Sequence, residues 1–99
     1  MKAVFSSLFK SDLLEEAERY DAISLRLGQE FRGRVEEAAR AVIHWNGGDH
    51  VGPHGYPCRR CRPFPFLVYY QIESDTIYFL ALVHERRHPE YLQQKMGEP

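Results

Sequence analysis

Cysteine is scarce in this chain of 99 residues: there are two, Cys58 and Cys61. That is too few for the disulfide framework that holds small secreted domains together. Long apolar runs are missing as well. None approaches the ~20 residues that cross a bilayer, so no membrane span is expected. Lys2 is followed by only a short apolar stretch and then by charges, so no secretory leader is expected, and the expected location is cytoplasmic. An excess of either charge is lacking too: 13 Lys and Arg stand against 14 Asp and Glu. A basic protein overall is excluded. Lysine is absent between Lys10 and Lys95, so most cations of the second half are arginines, in two clusters: Arg59, Arg60 and Arg62, then Arg86 and Arg87. Such local patches attract phosphate or the carboxylates of a partner.

What is present fits one domain, residues 1–99. A chain this short buries about 60–65% of its extended surface, so its core is modest and a partner covering apolar area would stabilise it.

The chain is organised around residues 64–91. Phe66–Ile72 and Thr76–Val83 are rich in the residues that fit a pleated surface. Glu73-Ser74-Asp75 between them reads as a tight turn, which makes an antiparallel hairpin. Alternation puts Ile77, Phe79, Ala81 and Val83 on one face and Tyr78, Leu80 and Leu82 on the other. Both sets are apolar, so the hairpin wants cover on both faces and is central.

Met1–Ser6 reads as a short edge strand. Ser11 before Asp12-Leu13-Leu14-Glu15 is the best helix start, or the helix begins a turn earlier at Ser7. Its apolar face is Leu13, Ala17, Tyr20 and Ser24, flanked by Leu14 and Ala22. Gly28 marks a break. A second helix, Gln29–Trp45, would bury Phe31, Val35, Ala38, Ala39, Val42 and Trp45. Gly33 suggests close approach of the first helix. Asn46–Gly55 reads as a loop and Tyr56–Arg62 as a strand, with Arg60 and Arg62 facing one way and Arg59 and Cys61 the other. Pro63 and Pro65 mark the bend into the hairpin. Glu90–Met96 allows two turns of a C-terminal helix. The expected fold is α/β (α+β) in the order β-α-α-β-β-β: a small, curved, mostly antiparallel sheet with a two-helix hairpin packed on one face. The other face would expose apolar area unless the C-terminal turns or a partner cover it.

Arg60 or Arg62 before the bend, Phe64-Pro65-Phe66-Leu67-Val68-Tyr69-Tyr70, the turn at Glu73-Ser74-Asp75, Ile77, and His84-Glu85-Arg86-Arg87 with Pro89 and Tyr91 together resemble the ParE/RelE superfamily of toxins from type II toxin–antitoxin modules, which includes plasmid stabilisation proteins. The element order is also that family's. The resemblance covers nearly the whole chain and implies a toxin neutralised by a cognate antitoxin, whose binding segment would be acidic and amphipathic. The family divides by target. ParE-like members are described as poisoning DNA gyrase without nuclease activity. RelE-like members cut mRNA on the ribosome. The wording around Phe64–Tyr70 and His84–Pro89, and the missing lysines, fit the ParE-like branch better. The first expectation is therefore gyrase inhibition by a binding protein, not an enzyme. The alternative is a ribosome-dependent, metal-independent endoribonuclease, and a third possibility is a relic that binds antitoxin without toxicity.

The residues themselves leave choices open. Arg86 and Arg87 either reach a phosphate or antitoxin carboxylate or pair with Glu36, Glu37 or Glu90. Arg59, Arg60 and Arg62 would belong to a partner or target surface, as would Tyr91, or else guard a strand edge against unwanted pairing. A nuclease would draw on Arg60, Arg62, His84, Arg87 and Tyr91, with cations to neutralise the scissile phosphate and an acid–base pair. The structural reading of His84 is a hydrogen bond donated to a backbone carbonyl, which would fix the strand end. Cys58-x-x-Cys61 with His50 and His54 has the ligand types of a zinc site. However, sulfurs at that spacing in a strand face opposite ways, so ordinary thiols are the reading and no cofactor is implied.

Overall fold

The computed structural model describes residues 1–45, 49–51 and 55–86. The elements follow the order β1 (Lys2–Phe5), α1 (Ser7–Ile23), α2 (Leu25–His44), β2 (His50–Val51), β3 (Pro57–Arg60), β4 (Phe66–Glu73) and β5 (Thr76–His84). The strands form one sheet in the order β1-β5-β4-β3-β2. β1 runs parallel to β5, and the other pairings are antiparallel. This is the expected α+β arrangement with one addition. The stretch read as a loop contains β2, which pairs His50 with Cys58 and Val51 with Pro57. The expected C-terminal helix lies outside the described residues, and no described helix is long and apolar enough to cross a membrane.

α1 starts at the earlier of its two expected positions. Ser6 caps it: its backbone is extended, and its hydroxyl accepts the Phe9 N–H at 2.9 Å. The same hydroxyl donates to the Leu80 carbonyl of β5, also at 2.9 Å. β1 covers β5 only from Thr76 to Phe79. Beyond that point the start of α1 serves the edge of β5, with Ser6 on Leu80 and the buried Asp12 carboxylate accepting the Leu82 N–H at 3.2 Å.

The helices are joined by Ser24 alone, so the break falls there and not at Gly28. Ser24 is extended (φ −164°, ψ 141°); its N–H closes α1 on the Tyr20 carbonyl, and its hydroxyl caps α2 at the Leu27 N–H. Gly28 lies inside α2 and is buried. Close approach of α1 occurs here and not at Gly33, where an added Cβ would meet nothing within 4 Å. Phe31, Val35, Ala38, Ala39 and Val42 form the buried stripe at helical spacing. Trp45 does not join it. Trp45 is the C-cap, with φ −135° and ψ 59°, so its side chain leaves the helical phase and is 73% exposed. On α1, Leu13 and Tyr20 pack on the core as expected, while Leu14 is exposed.

The main core lies between the helices and one face of the sheet. Phe66, Val68 and Tyr70 of β4 and Ile77, Phe79 and Leu82 of β5 meet the two helices there. Phe31 is its aromatic centre, with Tyr20, Phe64 and Phe66 rings 4.8–5.2 Å away. The β5 register explains why Leu82, and not Ala81, belongs to this set. Tyr69 pairs with Ala81 and Tyr70 with Phe79, so Leu80 is an extra residue. This bulge re-phases the strand and overturns the simple alternation expected for 77–83. Ala81 and Val83 turn to the opposite face with Tyr69 and Cys58, where Leu8, Tyr56 and Leu67 pack against them. That face, expected to expose apolar area unless something covers it, is buried at its centre.

Candidate functional site

β3 is shorter than expected. It ends at Arg60, and Cys61 leaves the strand by donating its N–H to the Phe66 carbonyl at 2.9 Å. The three arginines therefore have three environments. Arg59 is gripped by Asp49: its Nη2 lies 2.8 Å from Oδ1 and its Nε 3.3 Å from Oδ2. The Tyr70 hydroxyl donates to the same carboxylate. Burial raises the Tyr70 pKa well above the ordinary value, and the hydrogen bond to Asp49 adds to it. Arg60, opposite Leu67 in the register, reaches Glu85 at 3.6 Å. Arg62 sits in the turn after the strand, exposed, with no hydrogen bond or ion pair among the described residues.

A groove of about 540 Å³ runs between α2 and this segment. Arg34 and Glu37 of α2, Asp49, and Arg59, Arg60 and Arg62 supply its charges, while Ala38, Ala41 and Cys61 supply small apolar walls. Arg34 and Asp49 were missed in the sequence. The signal for Arg34 was available: positions 34, 37, 38 and 41 share one face of a helix. On the other flank of α2, a groove of about 500 Å³ has an apolar floor of Phe5, Phe9, Leu13, Val35, Ala39 and Ile43. Its rim carries Lys10, Arg32 and Arg40 against Glu36.

The second arginine cluster is reached only in part. Arg86 is exposed, and its N–H donates to His84 Nδ1 at 3.1 Å. Glu36 and Glu37, considered as partners for the cluster, pair instead with Arg40 and Arg34. Arg87 and Tyr91 lie outside the described residues. Instead of donating to a backbone carbonyl as expected, His84 accepts a backbone N–H through Nδ1, and its ring meets Phe66 edge-on at 5.3 Å.

The Cys-x-x-Cys pair does not come together as ligands. Cys58 belongs to the cluster on one face of the sheet and Cys61 to the main core. Burial pushes the Cys61 thiol up to about 12. Burial, aided by Asp49, also raises Cys58. His54 lies outside the described residues, and among the described residues no group of three His, Cys, Asp or Glu could hold a metal ion.

Residues 3–89 match the family model described as the ParE toxin of type II toxin–antitoxin system, parDE. A chain in the solved structure of the chromosomal ParDE TA system from P. aeruginosa has the same fold, with a TM-score of 0.69 at 14% identity over 85% of this chain and 95% of that one. No curated protein matches the sequence. The family match spans the β-α-α-β-β-β core, both grooves and the first arginine cluster, and on it this chain belongs to the ParE toxin family of type II toxin–antitoxin systems.

Proposed function

We propose that the protein is the toxin of a type II toxin–antitoxin module, that it inhibits DNA gyrase through protein contacts alone, and that a cognate antitoxin neutralises it. The family match over residues 3–89 carries this reading. The apolar groove along α2, with its mainly cationic rim, suits the acidic, amphipathic antitoxin segment expected from the sequence. The test is a pair of assays on the purified chain freed of antitoxin. Inhibited supercoiling with intact mRNA on programmed ribosomes is the expected result. Cleaved mRNA with gyrase unaffected would overturn it in favour of a ribosome-dependent nuclease. Neither effect would leave an antitoxin-binding relic. Arg86→Ala with Arg87→Ala is expected to weaken toxicity while circular dichroism stays native.

A further inference from the structure

We propose that the groove between α2 and β3 seats an extended, acidic peptide segment of a protein partner, with its carboxylates against Arg34 and Arg62. The inference rests on reading the chain as a toxin that works by protein contact, and it names the chemistry of one such contact. Among the described residues of the lining, four arginines face two carboxylates, an excess of two positive charges. The four are not equivalent. Arg59 is fixed, since Asp49 holds it through two nitrogens and is itself held by Tyr70. It forms the floor. Arg34 pairs with Glu37 one turn away, and that glutamate side chain is 71% exposed. Arg60 reaches Glu85 at the longer distance of 3.6 Å. Exposed pairs of this kind are weak, so an incoming carboxylate replaces Glu37 or Glu85 with little loss. Arg62 has no described partner to give up and is the first point of contact.

The same lining argues against nucleic acid. Surfaces that bind single strands interleave cations with aromatic rings on which bases stack. Among the described residues no aromatic side chain lines this groove; the walls between its charges are Ala38, Ala41, Cys58 and Cys61. Small apolar walls between separated guanidinium groups fit a peptide in which acidic and small residues alternate. Each carboxylate can then meet an arginine fork with two parallel hydrogen bonds.

The experiment is fluorescence anisotropy of the full chain with a labelled synthetic peptide alternating glutamate and alanine. A glutamine–alanine peptide and a single-stranded oligothymidylate are run beside it. The glutamate peptide is expected to bind, and to bind more weakly as salt rises. Arg34→Ala with Arg62→Ala is expected to weaken it roughly tenfold or more, with an unchanged unfolding midpoint. Arg19→Ala, exposed on α1, is expected to leave it unaltered. Equal binding of the glutamine peptide, tighter binding of the oligonucleotide, or full binding by the double variant would each overturn the assignment. The outcome is separable from the gyrase reading. Peptide binding without inhibition of supercoiling retains the groove and removes the target, while inhibition without peptide binding removes the groove alone.

Discussion

A Cβ at Gly28 would fall 1.6 Å from Oδ1 of Asp21. The carboxylate of α1 lies in the space that a side chain on α2 would fill, and from there it holds Arg32 at 2.9 and 2.7 Å through two parallel bonds. That hydrogen bonding to Arg32 also holds the Asp21 carboxyl below its usual range.

Gly28→Ala is therefore expected to destabilise the protein, although Gly to Ala in a helix ordinarily gains about 1 kcal/mol. Urea unfolding checks the sign. Combining it with Asp21→Ala should recover part of the ordinary gain, because the carboxylate is then gone and only the backbone nitrogen of residue 21, at 3.1 Å, remains close. Asp21 adds a dependence on acid. Its folded pKa is lowered, so its contribution is present above the ordinary carboxylate range and disappears as pH falls through the folded value. Asp21→Asn should flatten that part of the stability profile.

Ser6 does two jobs with one oxygen, capping α1 and holding the β5 edge. Ser6→Ala is expected to cost about 1–2 kcal/mol, read by denaturant midpoint. Ser6→Thr should recover most of it. Ser6→Asp should not, because a carboxylate can cap Phe9 but cannot donate to the Leu80 carbonyl.

Tyr70→Phe removes the hydroxyl bond to Asp49 and leaves Arg59 in place. The expected loss is about 1 kcal/mol, with the fold intact. A larger loss, or shifted NMR signals throughout β2, would mean that the tyrosine and not the arginine anchors Asp49.

Both thiols are expected to stay unreactive toward a disulfide reagent at neutral pH until the protein unfolds, because both are buried and the thiolate is the reactive form. The alkaline limb follows from the same groups. The pKa values of Cys61 and Tyr69 are each raised to about 12, chiefly by burial. The stability they contribute is whole below the unfolded thiol and phenol values of 9.0 and 10.0 and is lost as pH climbs toward 12. A pH series of melting temperatures should decline in that window. Tyrosine absorbance should show Tyr69 and Tyr70 ionising only with unfolding.

Much of this was legible from residue type and spacing. The hairpin read from Phe66 to Val83 is there, and its turn places Ser74 at φ 57°. The stripe from Phe31 to Val42 is buried. What escaped depended on partners distant in sequence. Gly28 looked like a break because its reason, Asp21, lies across the helix pair. Trp45 fitted the stripe by spacing but sits where the helix stops. Asp49 looked like loop, and only the fold brings it to Arg59 and Tyr70. The arginines were visible as a cluster, but whether each is fixed, loosely paired or exposed depends on neighbours that the sequence does not order.

The extra residue at Leu80 has a consequence for any comparison with relatives. β5 is in effect written in two frames, one from Thr76 to Phe79 and another from Ala81 to His84. Pairing Leu80 in regular alternation, with no bulge, would swap Leu82 for Ala81 and Val83 beneath the helices, emptying one layer and overfilling the other, whereas deleting Leu80 would leave Leu82 in place. Equivalent positions in distant ParE chains therefore have to be matched by which side of the sheet they face, separately before and after the shift, and not by counting along the strand.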